Sequence, residues 1–376
     1  MKRKKLLFVT AFVPNPAAAG EKVSMLLIED LSKHYDVDVA YFKYKNLPEY
    51  KPSVSGINIL RIENITTLSK LWGMLHVCFL YPLFATRYSP NFKRWLNQQV
   101  NKVHYDYIVF DHSQMLYYAK KLKTDSFKIL FSQDVMYQRV YRTHGKFMTW
   151  WVKKTENYCL HQENSVCFAP SKKDANLIEE LYGLHSEYSM PYMDNNVHAA
   201  LPEVTSNELA FMGKWSRADN VDGVKWFFEK VAPLIKRKVK VVIYGKNFPE
   251  HVINNANPSN VDVEITGFVD NPYPRIANSL ALLAPIFTGA GIKVKVLEAL
   301  GCGTPVVGTN VAFEGISEEY KDFMLLAETP QAFADAINNI SFSVEQRKAM
   351  KEKFLETYSR ANITNYLLRR EAENNG

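Results

Sequence analysis

The 376-residue sequence predicts an α/β fold of two Rossmann-like domains that face one another across a cleft. The chain is longer than one hydrophobic core usually supports, so two domains are expected. Short apolar runs rich in β-branched and aromatic residues alternate with helical stretches, which is the pattern of parallel sheets covered on both faces. The alternation stops in the segment MPYMDNNVHAALP, whose Pro and Asn residues are typical of a linker, and then starts again.

These observations divide the chain at the linker. We assign residues 1–195 to an N-terminal domain, 203–345 to a C-terminal domain, and 346–376 to a C-terminal helix that crosses back to the N-terminal domain. The first domain has predicted strands at 6–13, 38–42, 57–62, 107–111, 128–132 and 166–170. The second has predicted strands at 209–213, 240–244, 261–265, 281–284 and 305–308, and helices at 219–236, 292–301, 330–340 and 344–370.

Composition places the protein among globular proteins of a reducing compartment. Apolar residues make up 47% of the chain and charged residues 23%, which excludes general disorder. The four cysteines show no metal-ligand spacing, and a chain of this size needs no disulfides, so we expect free thiols and a cytoplasmic location. The apolar run after the basic N-terminus stops at Pro14, which favours a buried strand over a signal peptide.

Charge is unevenly distributed. Residues 1–200 carry 26 Lys and Arg against 18 Asp and Glu, whereas residues 201–376 carry 20 against 21. No nucleic-acid-binding motif accompanies the basic half, so we expect it to face a phosphorylated acceptor or the anionic inner face of the plasma membrane. The apolar segment Leu71–Ala85 is too short to span a bilayer. It is either a buried helix or a surface that meets lipid, together with the basic, aromatic stretch Phe92–Trp95.

The most informative stretch is Ala284–Gly308, APIFTGAGIKVKVLEALGCGTPVVG. A predicted strand ends, a Gly-Ala-Gly loop follows, and a helix begins near Ile292. Glycines let a backbone approach a ligand closely, and the first amides of a helix attract anions, so this loop suits a phosphate group. Lys295 and Glu298 lie on one face of the predicted helix behind the loop. They could neutralise a diphosphate and bind two ribose hydroxyls, or they could form an ordinary surface pair.

This stretch resembles the donor-binding signature of the family 4 glycosyltransferases, retaining enzymes of the GT-B fold. The run LEALGCGTPVV follows the family's helix and the strand after it closely. ELAFMGKWSRADNVDGVKWFFEKVAPLI resembles the start of the family's donor domain, where a basic residue, here Lys214, contacts the donor phosphate. VEITGFVDN, followed by Tyr273 and Ile276, resembles the strand and loop whose backbone frames the nucleobase. The resemblance covers most of residues 205–310 and is loose before them.

The resemblance implies a set of site residues. In the C-terminal domain they are Lys214, Lys295 and Glu298 as catalytic or phosphate-binding groups, and Gly213, Gly245, Gly267, Phe268, Val269, Gly289, Ala290, Gly291 and Ile292 as further donor contacts. Two positions depart from the family pattern. The first of the family's two glutamates is replaced by Ala290, or by Thr288 if the loop has one extra residue. A second basic residue after Lys214 is replaced by Asn220.

The N-terminal half contributes fewer matches. Gly20, in the loop PNPAAAG, stands where the family has a glycine pair facing the donor phosphate. His112 follows a buried strand where the family often has a histidine that contacts the donor sugar. The alternative for His112 is a structural histidine at a strand end. Asp134, Arg139 and Arg142 follow another strand and could form part of an acceptor or phosphate surface.

The implied activity is transfer of a sugar from a UDP- or GDP-sugar to a glycan, glycolipid or other hydroxyl acceptor, with retention and without a metal. Such chemistry belongs to bacterial polysaccharide or lipopolysaccharide synthesis. The principal alternative is an inactive subunit that keeps the scaffold to bind a glycan or stabilise a partner. A nucleotide-dependent oxidoreductase is a weaker alternative, because the turn after the first strand lacks the required glycines.

Overall fold

A computed structural model describes residues 3–16, 19–253, 259–289, 291–360 and 362–375. The chain forms two compact units, and each contains its own sheet. Unit 1 comprises residues 1–192 together with 361–376, and unit 2 comprises residues 193–360. The predicted fold class, two parallel-sheet α/β domains, is confirmed.

Unit 1 is built on a seven-stranded, entirely parallel sheet. Its strands follow the order β3-β2-β1-β4-β5-β6-β7, so the order of the strands reverses beside β1. Strands β1, β4 and β5 are buried almost throughout, as expected for a parallel sheet covered on both faces. The strands are β1 Lys5–Thr10, β2 Asp36–Tyr44, β3 Ile57–Ile65, β4 Tyr107–Asp111, β5 Phe127–Phe131, β6 Ser165–Ala169 and β7 Ser186–Tyr188.

Helices connect these strands. They begin at recognisable N-caps, such as Ser89 before α4 and Ser171 before α8, whose side chains accept hydrogen bonds from backbone N–H groups of the first turn. The helices are α1 Ala19–Ser32, α2 Thr67–His76, α3 Pro82–Ala85, α4 Pro90–Lys102, α5 Leu116–Lys121, α6 Met136–Thr143, α7 Lys146–Leu160 and α8 Lys172–Tyr182.

Unit 2 repeats the plan with a six-stranded parallel sheet of order β10-β9-β8-β11-β12-β13. Its strands are β8 Glu208–Met212, β9 Val239–Tyr244, β10 Val261–Gly267, β11 Ala281–Ala284, β12 Val306–Gly308 and β13 Met324–Leu326. The predicted helix 219–236 is α10 Ala218–Trp226, followed by a π-helical turn and a 3-10 turn that contains Pro233. The other helices are α9 Asn195–Ala199, α11 Tyr273–Asn278, α12 Val294–Gly301, α13 Pro330–Asn339 and α14 Val344–Arg360.

The C-terminal segment differs from the single helix that the sequence suggested. Helix α14 belongs to unit 2, and a second helix, α15 Ile363–Asn375, belongs to unit 1. The second helix starts where Asn362 Oδ1 accepts a hydrogen bond from the Asn365 backbone N–H, at 2.8 Å. Asparagine is a preferred N-cap, so the sequence ANIT begins a new helix rather than continuing the old one.

The segment Leu71–Ala85 was left open between a buried helix and an exposed surface, and the structure contains both. Leu71, Trp72 and Leu75, on α2, are more than half exposed, whereas Phe84 and Ala85, on α3, are buried. The expectation that Phe92 belongs to an exposed aromatic stretch is wrong, because its side chain is fully buried against Phe42. No helix among the described residues is long and apolar enough to cross a membrane.

A buried arginine fixes α14 onto unit 2. The Arg347 side chain is fully buried, and its Nε donates to the Gly303 carbonyl at 2.8 Å. Its two terminal nitrogens donate to the Ala277 carbonyl at 2.6 Å and to Thr205 Oγ1 at 3.0 Å. Thr205 precedes β8, Ala277 lies near the end of α11, and Gly303 follows α12. One guanidinium therefore joins α14 to three segments of the unit.

We expect Arg347→Met to lower the free energy of unfolding of unit 2 by about 3 kcal/mol, because two buried carbonyl groups would lose their donor. Urea unfolding monitored by circular dichroism measures this loss. Lys348→Met is the matched control, since Lys348 is the next residue along α14 and is exposed. Equal stability of the two variants would show that Arg347 does not hold α14.

Candidate functional site

In unit 2 the predicted donor-binding glycines lie together at the carboxyl ends of β8, β9 and β10. Gly213 donates its N–H to the Tyr244 carbonyl at 3.3 Å, and Gly245 donates to the Gly267 carbonyl at 2.7 Å. Ligands of open parallel sheets bind at this edge, outside the carboxyl ends of the strands.

Close packing explains why Gly245 is a glycine. Its φ is +130°, and a Cβ atom would lie 2.2 Å from the Gly213 carbonyl oxygen. Trp215 closes the other side, since its Nε1 donates to the Tyr244 carbonyl at 3.1 Å. The backbone of three strand ends is thereby brought together with no side chain between them.

Asn220 connects the two predicted phosphate-binding lysines of unit 2. Lys295 Nζ donates to Asn220 Oδ1 at 2.9 Å, and Asn220 Nδ2 donates to the Lys214 carbonyl at 3.1 Å. The Lys214 side chain is exposed, and its ammonium group has no hydrogen bond or ion pair within the described part of the chain. Asn220, where a basic residue was expected, therefore orients the ammonium group of Lys295.

The environment of Lys295 brings the pKa of its ammonium group close to neutral pH. Burial lowers the pKa of Lys295 to about 8, opposed by the charge of Asp219. The Asp219 carboxylate itself accepts hydrogen bonds from Arg217 Nε at 3.0 Å and from Arg217 Nη2 at 2.6 Å. Lys295 is therefore a cation whose charge depends on whether an anion is bound beside it.

Glu298 lies one turn further along α12 and is 6% exposed. Its Oε1 accepts a hydrogen bond of 2.8 Å from the Tyr273 hydroxyl, and Tyr273 is buried on α11. Burial, then the carboxylate of Glu298, raises the pKa of Tyr273. The tyrosine thus remains a protonated donor that fixes the orientation of the Glu298 carboxylate.

The loop before α12 is more extended than the sequence suggested. The helix begins at Val294 and not at Ile292. Gly289 and Gly291 have φ values of +110° and +74°, which side-chain-bearing residues rarely adopt. Thr288 is exposed, and Ala290 lies outside the described residues.

The predicted nucleobase loop is open to solvent. Phe268 is 56% exposed, Val269 is also exposed, and the Lys246 ammonium lies 4.5 Å from the centre of the Phe268 ring. Gly267 adopts a φ of +68° at the turn into this loop. An exposed aromatic ring beside a strand end is a surface on which a planar group can stack.

In unit 1 a buried carboxylate organises the edge of the sheet. Asp111, at the end of β4, is fully buried and accepts hydrogen bonds from Thr10 Oγ1 at 2.8 Å and Ser24 Oγ at 2.6 Å. Its other oxygen accepts from Gln133 Nε2 at 2.7 Å. Asp111 therefore ties together β1, α1, β4 and the loop after β5.

His112 follows Asp111 in a strained conformation. Its φ is +70°, which costs a residue other than glycine about 1–3 kcal/mol. Among the described residues its buried Nε2 atom has no hydrogen-bond partner, and Asp111 Oδ2 lies 3.6 Å from it. Burial lowers the pKa of the imidazole, although Asp111 opposes the shift. Gly20 lies against it, since a Cβ there would be 3.3 Å from His112 Cε1. The two predicted site residues of unit 1 are thus neighbours.

Other residues after β5 are less closely associated with His112. Arg139 is exposed on α6. The first amides of α6, those of Met136 and Tyr137, donate to the buried carboxylate of Glu156 at 2.6 and 2.9 Å. Burial raises the pKa of Glu156 to about 7. The positive end of this helix is therefore already occupied by a protein carboxylate.

Sequence reasoning missed three residues that the structure joins to the site. Asn220 and Tyr273 lie within motifs that were recognised, but their hydrogen bonds to Lys295 and Glu298 required the fold. Arg87, close to His112, is a single charge in the mostly apolar stretch YPLFATRYSP. Its position as a lone charge among apolar residues was the only feature of the sequence that distinguished it.

Comparison with known proteins agrees with this geometry. Residues 206–341 match the family model described as "Glycosyl transferases group 1". An uncharacterized 44.6 kDa protein in the cps region of Klebsiella pneumoniae is 23% identical, over 94% of this chain and 95% of that protein.

Solved structures share the fold of the whole chain. Alr3699/HepE from Anabaena, in complex with UDP, superposes with a TM-score of 0.66 and 14% identity, covering 98% of this chain and 99% of that one. WaaG, a glycosyltransferase involved in lipopolysaccharide biosynthesis, gives a TM-score of 0.63 and 14% identity, covering 98% of both chains.

The fold is therefore GT-B. Residues 206–341, which make up most of unit 2, match the group 1 glycosyltransferases, and this match agrees with the resemblance seen in the sequence at the level of that group.

Proposed function

We propose that this chain is a glycosyltransferase that uses a UDP- or GDP-sugar and transfers the sugar, with retention of configuration, to a hydroxyl of a cell-envelope glycan or glycolipid. The observation that carries the proposal is the Lys295–Asn220–Lys214 connection beside the glycine-containing loop of unit 2. It links the Lys295 ammonium to the backbone of Lys214, just after β8, which supports a donor site at the strand edge where parallel sheets bind ligands.

The leaving group of this reaction is a nucleoside diphosphate. Lys295 and Lys214 would neutralise its oxygens, and the first amides of α12 would add the partial positive charge of a helix N-terminus. Gly289 and Gly291 shape the loop in front of that helix. These groups supply positive potential without a metal ion, so we propose that the chemistry does not require one.

The ribose is assigned to Glu298. A carboxylate can accept hydrogen bonds from two vicinal hydroxyls, and the Tyr273 hydroxyl already fixes its orientation. Phe268 and the backbone at Val269 would contact the nucleobase, and Gly213, Gly245 and Gly267 would let the donor approach the strand ends.

In the reaction itself the bond between the anomeric carbon and the diphosphate oxygen breaks, and a bond to the acceptor oxygen forms on the same face. The acceptor proton passes to the departing phosphate oxygen, so no protein nucleophile is needed. His112 is assigned to the transferred sugar, because its buried Nε2 makes no hydrogen bond within the described part of the chain. The absence of a glutamate at Thr288 or Ala290 bears on which sugar is accepted.

A role in polysaccharide or lipopolysaccharide synthesis agrees with the relatives. One is a protein of a cps region, and another is a glycosyltransferase involved in lipopolysaccharide biosynthesis. The first experiment is a thermal-shift panel of UDP-, GDP-, ADP- and dTDP-sugars, followed by transfer assays with the donor that stabilises the protein most. If no sugar nucleotide stabilises the protein, the proposed donor class is wrong.

Glu298→Gln should reduce both donor affinity and transfer by at least about 10-fold, since the charged acceptor of two hydroxyl hydrogen bonds is lost. Glutamine keeps an oxygen for Tyr273, so the variant should melt close to the parent. Glu345→Gln, at an exposed glutamate of the same unit, is the control. Unchanged transfer by a folded Glu298→Gln protein would refute the ribose assignment.

Donor affinity should fall as the pH rises through about 8, where Lys295 loses its proton in the free protein. Lys295→Met should bind donor weakly and without this pH dependence. Isothermal titration across the pH range measures both.

We expect the parent to remain active in EDTA, and a loss of activity that Mn²⁺ or Mg²⁺ restores would contradict the metal-free proposal.

The acceptor side of the proposal includes a membrane surface on unit 1. Helix α2 exposes Leu68, Leu71, Trp72 and Leu75, each more than half accessible, at the spacing of one helix face. Phe79 follows the helix, and α7 exposes Phe147 and Trp150. A series of ring contacts of 5.6 to 6.2 Å connects these elements, through Trp72, His76, Tyr88, Tyr117, Phe79 and Tyr158.

Basic residues flank this apolar surface. Lys120 and Lys121 lie 5.3 and 5.5 Å from the centre of the Tyr158 ring, and Lys70 projects from α2. Exposed aromatic and aliphatic side chains bordered by lysines are suited to the interface of an anionic bilayer. We therefore propose reversible binding to anionic lipid through α2 and α7.

The double variant Leu71→Ser/Leu75→Ser should bind vesicles containing phosphatidylglycerol at least about 10-fold more weakly, because two inserted leucines are lost. Leu201→Ser/Val204→Ser, at exposed apolar residues of unit 2, is the control. Co-sedimentation at low and high salt measures binding. Equal binding of the parent to neutral and anionic vesicles would remove the electrostatic part of the proposal.

A further inference from the structure

Arg87 is a buried guanidinium at the edge of the unit 1 sheet. The residue lies between α3 and α4 and is 6% exposed. Its Nε donates to the Ala11 carbonyl at 3.1 Å, just beyond the end of β1. The side chain is therefore held at the carboxyl end of the strand beside which the strand order reverses.

The guanidinium has no carboxylate partner in the described part of the chain. Besides Ala11 it has one further hydrogen bond, a 3.4 Å contact from Nη2 to the Tyr44 hydroxyl, and Nη1 has none. A buried charge is normally paired, because removing it from water costs several kcal/mol. By comparison, Arg61 on β3 forms a 2.7 Å ion pair with Glu63.

The surroundings of Arg87 include a second cation, Lys70, and are continuous with His112. The Phe12 ring lies between the two residues, with its centre 5.0 Å from the Arg87 guanidinium carbon and 4.8 Å from the centre of the His112 ring. Tyr44, whose ring lies 5.3 Å from the guanidinium carbon, also has the Lys70 ammonium 4.7 Å from its ring centre. Phe12 is partly buried and Tyr44 is exposed, so solvent reaches the aromatic side chains that surround the buried guanidinium.

We propose that Arg87 binds an anionic group of the acceptor, a phosphate or a carboxylate, beside His112. The planar fork of an arginine offers two parallel N–H donors to either anion, and Nη1 and Nη2 are the atoms that protein groups leave least satisfied. Lys70 adds a second positive charge beside Tyr44. The identification of the anion as part of the acceptor rests on the proposed function. Anion binding at Arg87 does not.

Anion binding is tested by isothermal titration of the full chain with inorganic phosphate, inorganic pyrophosphate and glucuronate. Saturating UDP or GDP is present throughout, so that the proposed diphosphate site of unit 2 is occupied. We expect at least one anion to bind, and Arg87→Met to weaken that binding about 10- to 100-fold. Arg61→Met, which removes a guanidinium that has its own carboxylate, should bind as the parent does. Preference for glucuronate over both phosphates would identify a carboxylate.

Arg87→Lys is the second variant, in case Arg87→Met does not fold. Lysine keeps the charge but not the fork, so its affinity should fall between those of the parent and Arg87→Met. Equal anion affinity in the parent and in any folded Arg87 variant would overturn the proposal, as would the absence of binding in the parent.

In transfer assays the binding anion should compete with the acceptor and not with the donor. A protein that binds the anion through Arg87 but transfers no sugar would refute the proposed function and leave the anion site standing. Transfer that is insensitive to the anion and to Arg87→Lys would refute the assignment of this anion to the acceptor and leave the proposed function standing.

Discussion

The structure depends on the burial of two parallel sheets on both faces. Central strands such as β4 and β9 can hold few polar groups along their length, so polar side chains collect where strands end. Asp111 shows the consequence in unit 1, because its carboxylate receives three hydrogen bonds from three different segments. In unit 2 the same constraint brings Gly213, Gly245 and Gly267 into contact. Chemistry is thereby confined to one edge of each sheet.

Much of the fold could be predicted because periodicity reports burial directly. Tyr107–Asp111 and Ala281–Ala284 were predicted with the bounds that the structure has. The strands missed were β7 and β13, whose three residues are too few to show a period. The division between α14 and α15 was also missed, since a helix pattern continues across Asn362 and only the cap geometry reveals the break.

The site was predictable where one motif holds its parts and not where distant parts meet. Lys295 and Glu298 share a helix, so their common face followed from spacing alone. The partners that orient them, Asn220 and Tyr273, come from two other helices, α10 and α11, and only packing shows which side chain reaches which. Arg87 is the extreme case, because nothing near it in the chain indicates that it lies 5.0 Å from Phe12 and close to His112.

Helix α15 has a consequence for the order in which the protein is made. Its Tyr366 ring packs edge-on against Phe168, and Glu371 contacts both Lys4 and Tyr35, so a segment that follows unit 2 in the chain completes unit 1. The ribosome must therefore synthesise all of unit 2 before unit 1 has its full set of contacts. During that interval the newly synthesised part of unit 1 exposes the surface that α15 later covers. Unit 1 is therefore synthesised first but completes its folding after unit 2 has been made.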